Sequence, residues 1–224
     1  SMFDRIAPRY DLLNRLLSGG TDGRWRRRAV DFLDLTPPAR VLDLCTGTAD
    51  LLMEALRRDP GFSGVGLDLS QAMLVRGASK IRRGGLEPRA RLVGGDGEQL
   101  PLDDALFDGA LVAFGIRNVG DPLAALREVH RVLRPGGRFV VLEFSLPPGL
   151  AGHVSRLYFT RVLPRVGGLV SGDRSAYAYL PASVAGFPTP DAFGNLMEQA
   201  GYASVRWQLL TGGIACLHRG EKPR

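Results

Sequence analysis

Cysteine is scarce in this chain, and so is every other cheap source of metal or redox chemistry. Only Cys45 and Cys216 occur among 224 residues, far apart in the sequence. Two distant cysteines exclude a disulfide framework and make a reducing cytoplasm the expected setting. Three histidines and no Cys/His cluster leave no metal site to propose. No apolar run approaches the roughly 18 residues of a membrane span. Nothing after Ser1-Met2-Phe3-Asp4 reads as the apolar core of a signal peptide. There is no internal repeat and no low-complexity stretch. What remains is 45% hydrophobic and 23% charged, the balance of a globular protein and enough chain for one substantial core. The net charge is +6, with arginines bunched at Arg24-Trp25-Arg26-Arg27-Arg28. No RNA-binding motif accompanies them, so a solvated basic surface is favoured and nucleic acid is not expected as a partner.

The chain is organised around residues 39–50. Val41, Leu42 and Leu44 form a short apolar run that reads as a buried strand. Thr46, Gly47 and Ala49 make a small-residue turn, and 51–58 reads as a helix. Strand, tight turn and helix open an α/β sheet, whose ligands bind at the carboxyl ends of the strands. The turn has neither the three glycines of a dinucleotide fingerprint nor the Lys of a P-loop. Gly47 lets a ligand approach the backbone closely, and Asp43 at the strand end suits a cationic ligand better than a phosphate. The pattern resembles the first motif of Rossmann-like S-adenosylmethionine methyltransferases. A generic α/β turn is the alternative.

Alternation continues. Strands are expected at 62–68, 90–93, 107–114 and 138–144, with helices capped by Ser70 and by Asp121-Pro122 between them. Such alternation predicts a doubly wound, mostly parallel sheet. Residues 3–35 read as helical, broken at Ser18-Gly19-Gly20, with Thr21 or Asp22 as the second cap. Residues 145–188 interrupt the pattern. A helix from Thr189-Pro190-Asp191 restores it, followed by a terminal hairpin of 205–210 and 214–218 around Gly212-Gly213. His130, on the helix before the fifth strand, reads as structural.

Chemistry collects at the strand ends. Asp68, ending the second strand, can accept both hydroxyls of a ribose. Asp96 and Gly97 follow the third strand; Asp96 either accepts from an adenine amino group or forms an Asx turn. After the fourth strand come Ala113-Phe114-Gly115-Ile116-Arg117-Asn118-Val119, where substrate meets cofactor in such sheets. Arg117 is a fixed cation there and Asn118 both donor and acceptor. The Asn/Asp-Pro-Pro-Tyr sequence of amide- and base-methylating enzymes is missing.

Three stretches carry a closer likeness: Tyr10-Asp11-Leu12-Leu13-Asn14 with the Leu-Leu-Ser-Gly-Gly after it, Phe114 to Val119, and Leu133-Arg134-Pro135-Gly136-Gly137-Arg138 through Leu142-Glu143-Phe144-Ser145. Together they resemble the signatures of the ubiquinone/menaquinone biosynthesis C-methyltransferases over nearly the whole chain. The resemblance implies an α/β, Rossmann-like class I S-adenosylmethionine-dependent methyltransferase in one domain, 1–224. Its mostly parallel seven-stranded sheet would carry helices on both faces, an N-terminal helical segment 1–38 and a helical lid insert at about 145–188. It implies C-methylation of demethylmenaquinol to menaquinol, in some members also of a benzoquinol precursor of ubiquinone, with S-adenosylhomocysteine as by-product. By matched motif, Thr48, Asp68, Asp96, Gly97 and Ala113 fall on cofactor-binding positions, beside Asp43 and Gly47 of the first turn. Ala113 departs from the Ser of the family pattern and Ala49 from its Gly. The N-terminus is short, so a helix covering the cofactor is expected to be incomplete.

The methyl acceptor must be made electron-rich, and deprotonating a quinol hydroxyl does this. Arg117 would stabilise the oxyanion, directly or through a water acting as base, with Asn118 and Tyr10 orienting the ring. A surface salt bridge is the alternative for Arg117. On the insert, Val154, Leu157, Tyr158, Val162 and Val166 form a stripe beside Arg156, Arg161 and Arg165. That stripe either admits an isoprenoid tail at an anionic membrane face or simply covers the core. The expected partner is a polyprenylated quinol; peripheral membrane contact and a homodimer stay open. Competing functions are methylation of another small phenolic or natural product, RNA methylation, and a non-catalytic cofactor-binding subunit. A carbon-5 pyrimidine enzyme would need a cysteine near the fourth strand, where neither cysteine lies.

Overall fold

The structure, a computed structural model, describes residues 20–145 and 183–224. Tyr10 and the 146–182 part of the expected lid lie outside the described residues. Helix α1 (Asp22–Leu33) leads into strand β1 (Ala39–Leu44) and helix α2 (Asp50–Arg58). Then follow β2 (Phe62–Asp68), α3 (Gln71–Arg83), β3 (Ala90–Gly94) and β4 (Phe107–Ala113). A short 3-10 turn (Ile116–Asn118), α4 (Pro122–Val132) and β5 (Leu133–Phe144) come next. The chain ends with α5 (Pro190–Gln199), β6 (Ala203–Leu210) and β7 (Ala215–Glu221).

The seven strands form one sheet in the order β3-β2-β1-β4-β5-β7-β6. The first five run parallel. β7 is antiparallel to both neighbours, so the expected hairpin closes the sheet with its second strand inserted beside β5. Strand order reverses between β1 and β4, and that reversal opens the crevice.

Both faces are covered, so the inner strands are apolar on both sides rather than alternating. Val41, Val140 and Leu142 join Trp25, Leu33, Leu52 and Ile81 under α1, α2 and α3. Leu42, Phe139 and Val141 join Leu126, Val129, Phe193 and Met197 under α4 and α5. Gly64 lets α2 sit close: a Cβ there would lie 2.7 Å from Leu52 Cδ1 and 2.8 Å from the Val41 carbonyl. Among the described residues no helix is long and apolar enough to cross a membrane.

The predicted caps form where the short polar side chains stand. Ser70 accepts from the Met73 amide, Asp121 from Leu123 and Ala124, and Thr189 from Ala192. Thr21 holds the N-cap position of α1, but its side chain makes no cap bond. Strand β5 starts earlier than expected, at Leu133; Gly136 has φ +79° and the register slips between Phe107 and Gly109. His130 packs edge-on against Tyr202 at 5.1 Å, remote from the crevice.

Candidate active site

The turn after β1 folds sharply because Cys45, Gly47 and Ala49 all take left-handed backbone, with φ of 52°, 55° and 67°. For the two non-glycines this costs about 1–2 kcal/mol each, and such strain concentrates at functional turns. Hydrogen bonds hold it. Asp43 Oδ2 accepts from Thr46 Oγ1 at 2.5 Å and from the Leu52 amide at 3.0 Å. Ala49 cannot cap α2, so Asp43 satisfies that helix end from inside the sheet. Asp43 is 1% exposed, and burial pushes its carboxyl from the ordinary 3.8 up to about 7, against the opposing bonds from Thr46 and Leu52. It lies beneath the turn as its keystone.

Asp68 ties the second strand end to this turn. Its Oδ2 accepts from the Gly47 amide and its Oδ1 from the Ser70 amide, each at 2.8 Å. From there a cleft of about 250 Å³ runs past Asp96 and Gly97 to Ala113 and Asn118. Leu69 and Met73 form its apolar side, and Leu69 is 76% exposed at the mouth. Asp96 is exposed, and its Oδ1 accepts from the Glu98 amide at 2.9 Å. It therefore forms the Asx turn and also faces the cleft. A second, smaller cavity joins at Cys45, Gly47, Ala113 and Phe114, and carries Arg26, Thr48 and Asp50. Thr48 Oγ1 accepts from Lys80 Nζ at 3.1 Å, and Lys80 also pairs with Asp50. Arg26 pairs with Asp22 at 2.5 Å and approaches Asp50 at 4.0 Å.

These donors fit the adenosyl donor that the sequence implies. Asp68 suits ribose hydroxyls, while Asp96 and Gly97 between apolar walls suit an adenine edge. The second cavity, with charges of both signs, suits an amino-acid end. Asn118 adds an orphan: its Oδ1 is buried with no partner among the described residues, while its Nδ2 donates to the Phe114 carbonyl at 3.2 Å. Among the described residues no His/Cys/Asp/Glu group could hold a metal ion.

Arg117 is neither a free charge nor half of a surface salt bridge. Its Nη1 donates at 2.6 Å to Glu143 Oε1 and at 2.6 Å to the Phe114 carbonyl. The two side chains are 10% and 1% exposed, so this is a buried ion pair. Nε reaches Ser183 Oγ at 3.4 Å, and the guanidinium lies 5.4 Å from the Phe144 ring centre. Nη2 has no hydrogen-bond partner among the described residues. Phe114, with φ +57°, starts the turn that delivers Arg117 and Asn118. Its ring stacks on Phe144 at 4.4 Å, with Trp25 against both at 6.1 and 6.3 Å.

The sequence pattern did not single out Arg26 and Cys45, which line the cavities, or Glu143 and Trp25, which back Arg117 and Phe114. Glu143 carried the one available signal, a lone carboxylate at the end of the apolar run Val140-Val141-Leu142. Cys45 lines both cavities, and burial drives its thiol far above the usual range.

The profile of the ubiE/COQ5 methyltransferase family matches residues 1–222. A demethylmenaquinone methyltransferase of Thermus thermophilus is 52% identical over 223 residues, covering 99% of this chain and all of that one. A ubiquinone/menaquinone biosynthesis C-methyltransferase of Syntrophotalea carbinolica is 50% identical, covering 98% of this chain and 92% of its own. Among solved structures, an S-adenosylmethionine-dependent methyltransferase of Aquifex aeolicus superposes with a TM-score of 0.63 at 16% identity, over 88% of each chain. The [4+2]-cyclase SpnF superposes with 0.73 at 17% identity, over 99% of this chain and 94% of that one. At those identities the likeness concerns the fold, and a cyclase on this scaffold illustrates that the fold alone does not name the reaction.

Proposed function

The chain belongs to the ubiE/COQ5 methyltransferase family, and we propose that it methylates a ring carbon of demethylmenaquinol, giving menaquinol and S-adenosylhomocysteine. The observation that carries this reading is the 52% identity to a demethylmenaquinone methyltransferase across both full lengths. Its substrate class is a quinol; the nucleus is read as that of menaquinol.

S-adenosylmethionine, when bound, supplies the electrophilic methyl group. The chain's own residues do the rest. Asp68 binds the ribose hydroxyls while it holds the Gly47 amide, so donor binding and turn geometry are coupled. Asp96 and Gly97 take the adenine edge. Arg26 and Asp50, with Thr48 behind them, take the charged amino-acid end; Asp43 keeps the turn in shape from below.

At the acceptor side, Phe114 lines the cleft with Phe144 and Trp25 packed behind it, and this aromatic wall keeps water from the acceptor nucleus. The free Nη2 donors of Arg117 stabilise the quinol oxyanion, and the orphan Asn118 Oδ1 accepts from a hydroxyl. Donors preorganised at a developing oxyanion are worth about 10²–10³ in rate. Tyr10, outside the described residues, is read as a further ring-orienting hydroxyl. The remaining work is alignment of ring carbon and methyl. Because the acceptor carries a polyprenyl tail, the reading puts the protein at the cytoplasmic membrane surface, to which its net charge of +6 would be drawn.

The test is product analysis. Purified protein given the donor and a short-tailed demethylmenaquinol under reducing conditions should add one methyl to ring carbon. Methylation on oxygen, or of unrelated phenols in preference, would replace this reading with the natural-product one.

A further inference from the structure

Glu143 holds a buried carboxylate with one oxygen engaged and one not. Oε1 accepts from Arg117 Nη1 at 2.6 Å and from the Phe144 amide at 2.8 Å. Oε2 is buried with no hydrogen-bond partner among the described residues, and the residue is 0% exposed. A buried ionised oxygen left unbonded is expensive, whereas a protonated one is far less so. Burial accordingly raises the Glu143 carboxyl, while the Arg117 cation and the Phe144 amide pull it back down.

Now consider an acceptor entering as its anion, a step that rests on the methyl-transfer reading above. Two anions would then share one guanidinium in a water-poor site. Like charges so placed do not both stay ionised. Among the described residues the other titratable groups around Glu143 offer no relief. Cys45, from the turn after β1, and Cys216, its register partner on β7, are thiols that burial keeps neutral, Cys216 pushed up to about 12. His218, further along the same face of β7, sits on the Pro190 carbonyl and is lowered to about 4 by burial.

We propose that Glu143 takes up a proton when the quinol binds as its anion, so that the Arg117–Glu143 ion pair is exchanged for an Arg117–quinolate pair beside a neutral carboxyl. The quinol O–H bond breaks, its electron pair stays on oxygen, and a proton is gained at Glu143 Oε2. The ring carbon–methyl bond then forms as the sulfur–methyl bond breaks. The ring C–H proton leaves to water, and the quinol oxygen regains a proton from water as Glu143 Oε2 releases its own to water. The net charge of the buried site is the same before and after each exchange. Glu143 acts through Arg117 and is a positioning residue.

The probe is lawsone, a hydroxynaphthoquinone that is an anion near neutral pH, titrated calorimetrically into the full chain saturated with S-adenosylhomocysteine. Titration in buffers of different ionisation enthalpy counts the protons exchanged. The native protein should take up one proton per lawsone bound, and Glu143→Gln should bind lawsone with none. Native binding without proton uptake overturns the proposal and leaves the methyl-transfer reading intact. Failure of native protein to bind lawsone, with S-adenosylhomocysteine still bound, contradicts the acceptor reading and the proposal together. The native titration decides by itself should Glu143→Gln not fold.

Discussion

The Gly47 amide donates to Asp68 Oδ2 at 2.8 Å, which locks the turn after β1 to the end of β2. One carboxylate thus shapes the floor of the cleft and also faces it. Asp68→Ala should weaken S-adenosylhomocysteine binding by about 10–100-fold, the worth of hydrogen bonds to a charged group at about 1.5–3 kcal/mol. Asp68→Asn, which can still accept from Gly47, should lose less. Calorimetry on the two variants checks the order; equal losses would mean that the charge toward the ligand, not the turn, is what matters.

Arg117 and Glu143 should show strong coupling. Arg117→Met leaves a buried carboxylate without its cation and should cost about 3–5 kcal/mol of stability. Arg117→Met with Glu143→Leu should recover most of that in urea unfolding. Neither variant should transfer methyl groups, and both should bind S-adenosylhomocysteine as the native protein does. Stability and turnover therefore separate at this pair.

Gly115 faces Cys45 with no room to spare: an added Cβ would sit 2.4 Å from the Cys45 Cβ. Gly115→Ala should destabilise the protein by about 1–3 kcal/mol through overpacking. Cys45→Gly removes the obstructing carbon and also suits φ +52°, so the double variant should melt above Gly115→Ala alone. Differential scanning calorimetry reads the difference.

Asp43 gives stability a pH dependence of definite sign. Its carboxyl is raised from 3.8 to about 7 in the folded chain, so between those values the folded state binds more protons than the unfolded one. Stability contributed by this group is therefore present at low pH and lost as pH rises through about 7. Asp43→Asn keeps an acceptor for Thr46 and Leu52 and should flatten the slope by a few kcal/mol over that interval. Unfolding of both proteins across a pH series is the check.

Much of this architecture was legible in the sequence because it is written in local terms. Ser70, Asp121 and Thr189 announce helix starts by their own short side chains, and Val41-Leu42 or Val140-Val141 announce strands buried on both faces. Asp68, Asp96 and Gly97 were legible as cleft residues because strand ends in an open α/β sheet converge on one edge. What escaped was pairing across the sheet. Nothing local in Arg117 says that its partner is Glu143, 26 residues on, and so it read as free or surface-paired. Asp43 read as facing a cation because its bonds to Thr46 and Leu52 depend on how the turn coils back. Trp25 lay inside an arginine cluster that drew attention to charge, while its ring packs on Phe114 and Phe144. Tyr10 and the insert at 146–182 lie outside the described residues.

The central claim is that the cleft delivers a methyl group to a quinol carbon beside Arg117. The most direct test follows isotope-labelled methyl from S-adenosylmethionine into lipid extracted after incubation with demethylmenaquinol. The native protein should place the label on the quinol ring carbon, and Arg117→Met should place none while still binding S-adenosylhomocysteine. A native protein that binds S-adenosylhomocysteine but leaves demethylmenaquinol unlabelled would contradict the claim.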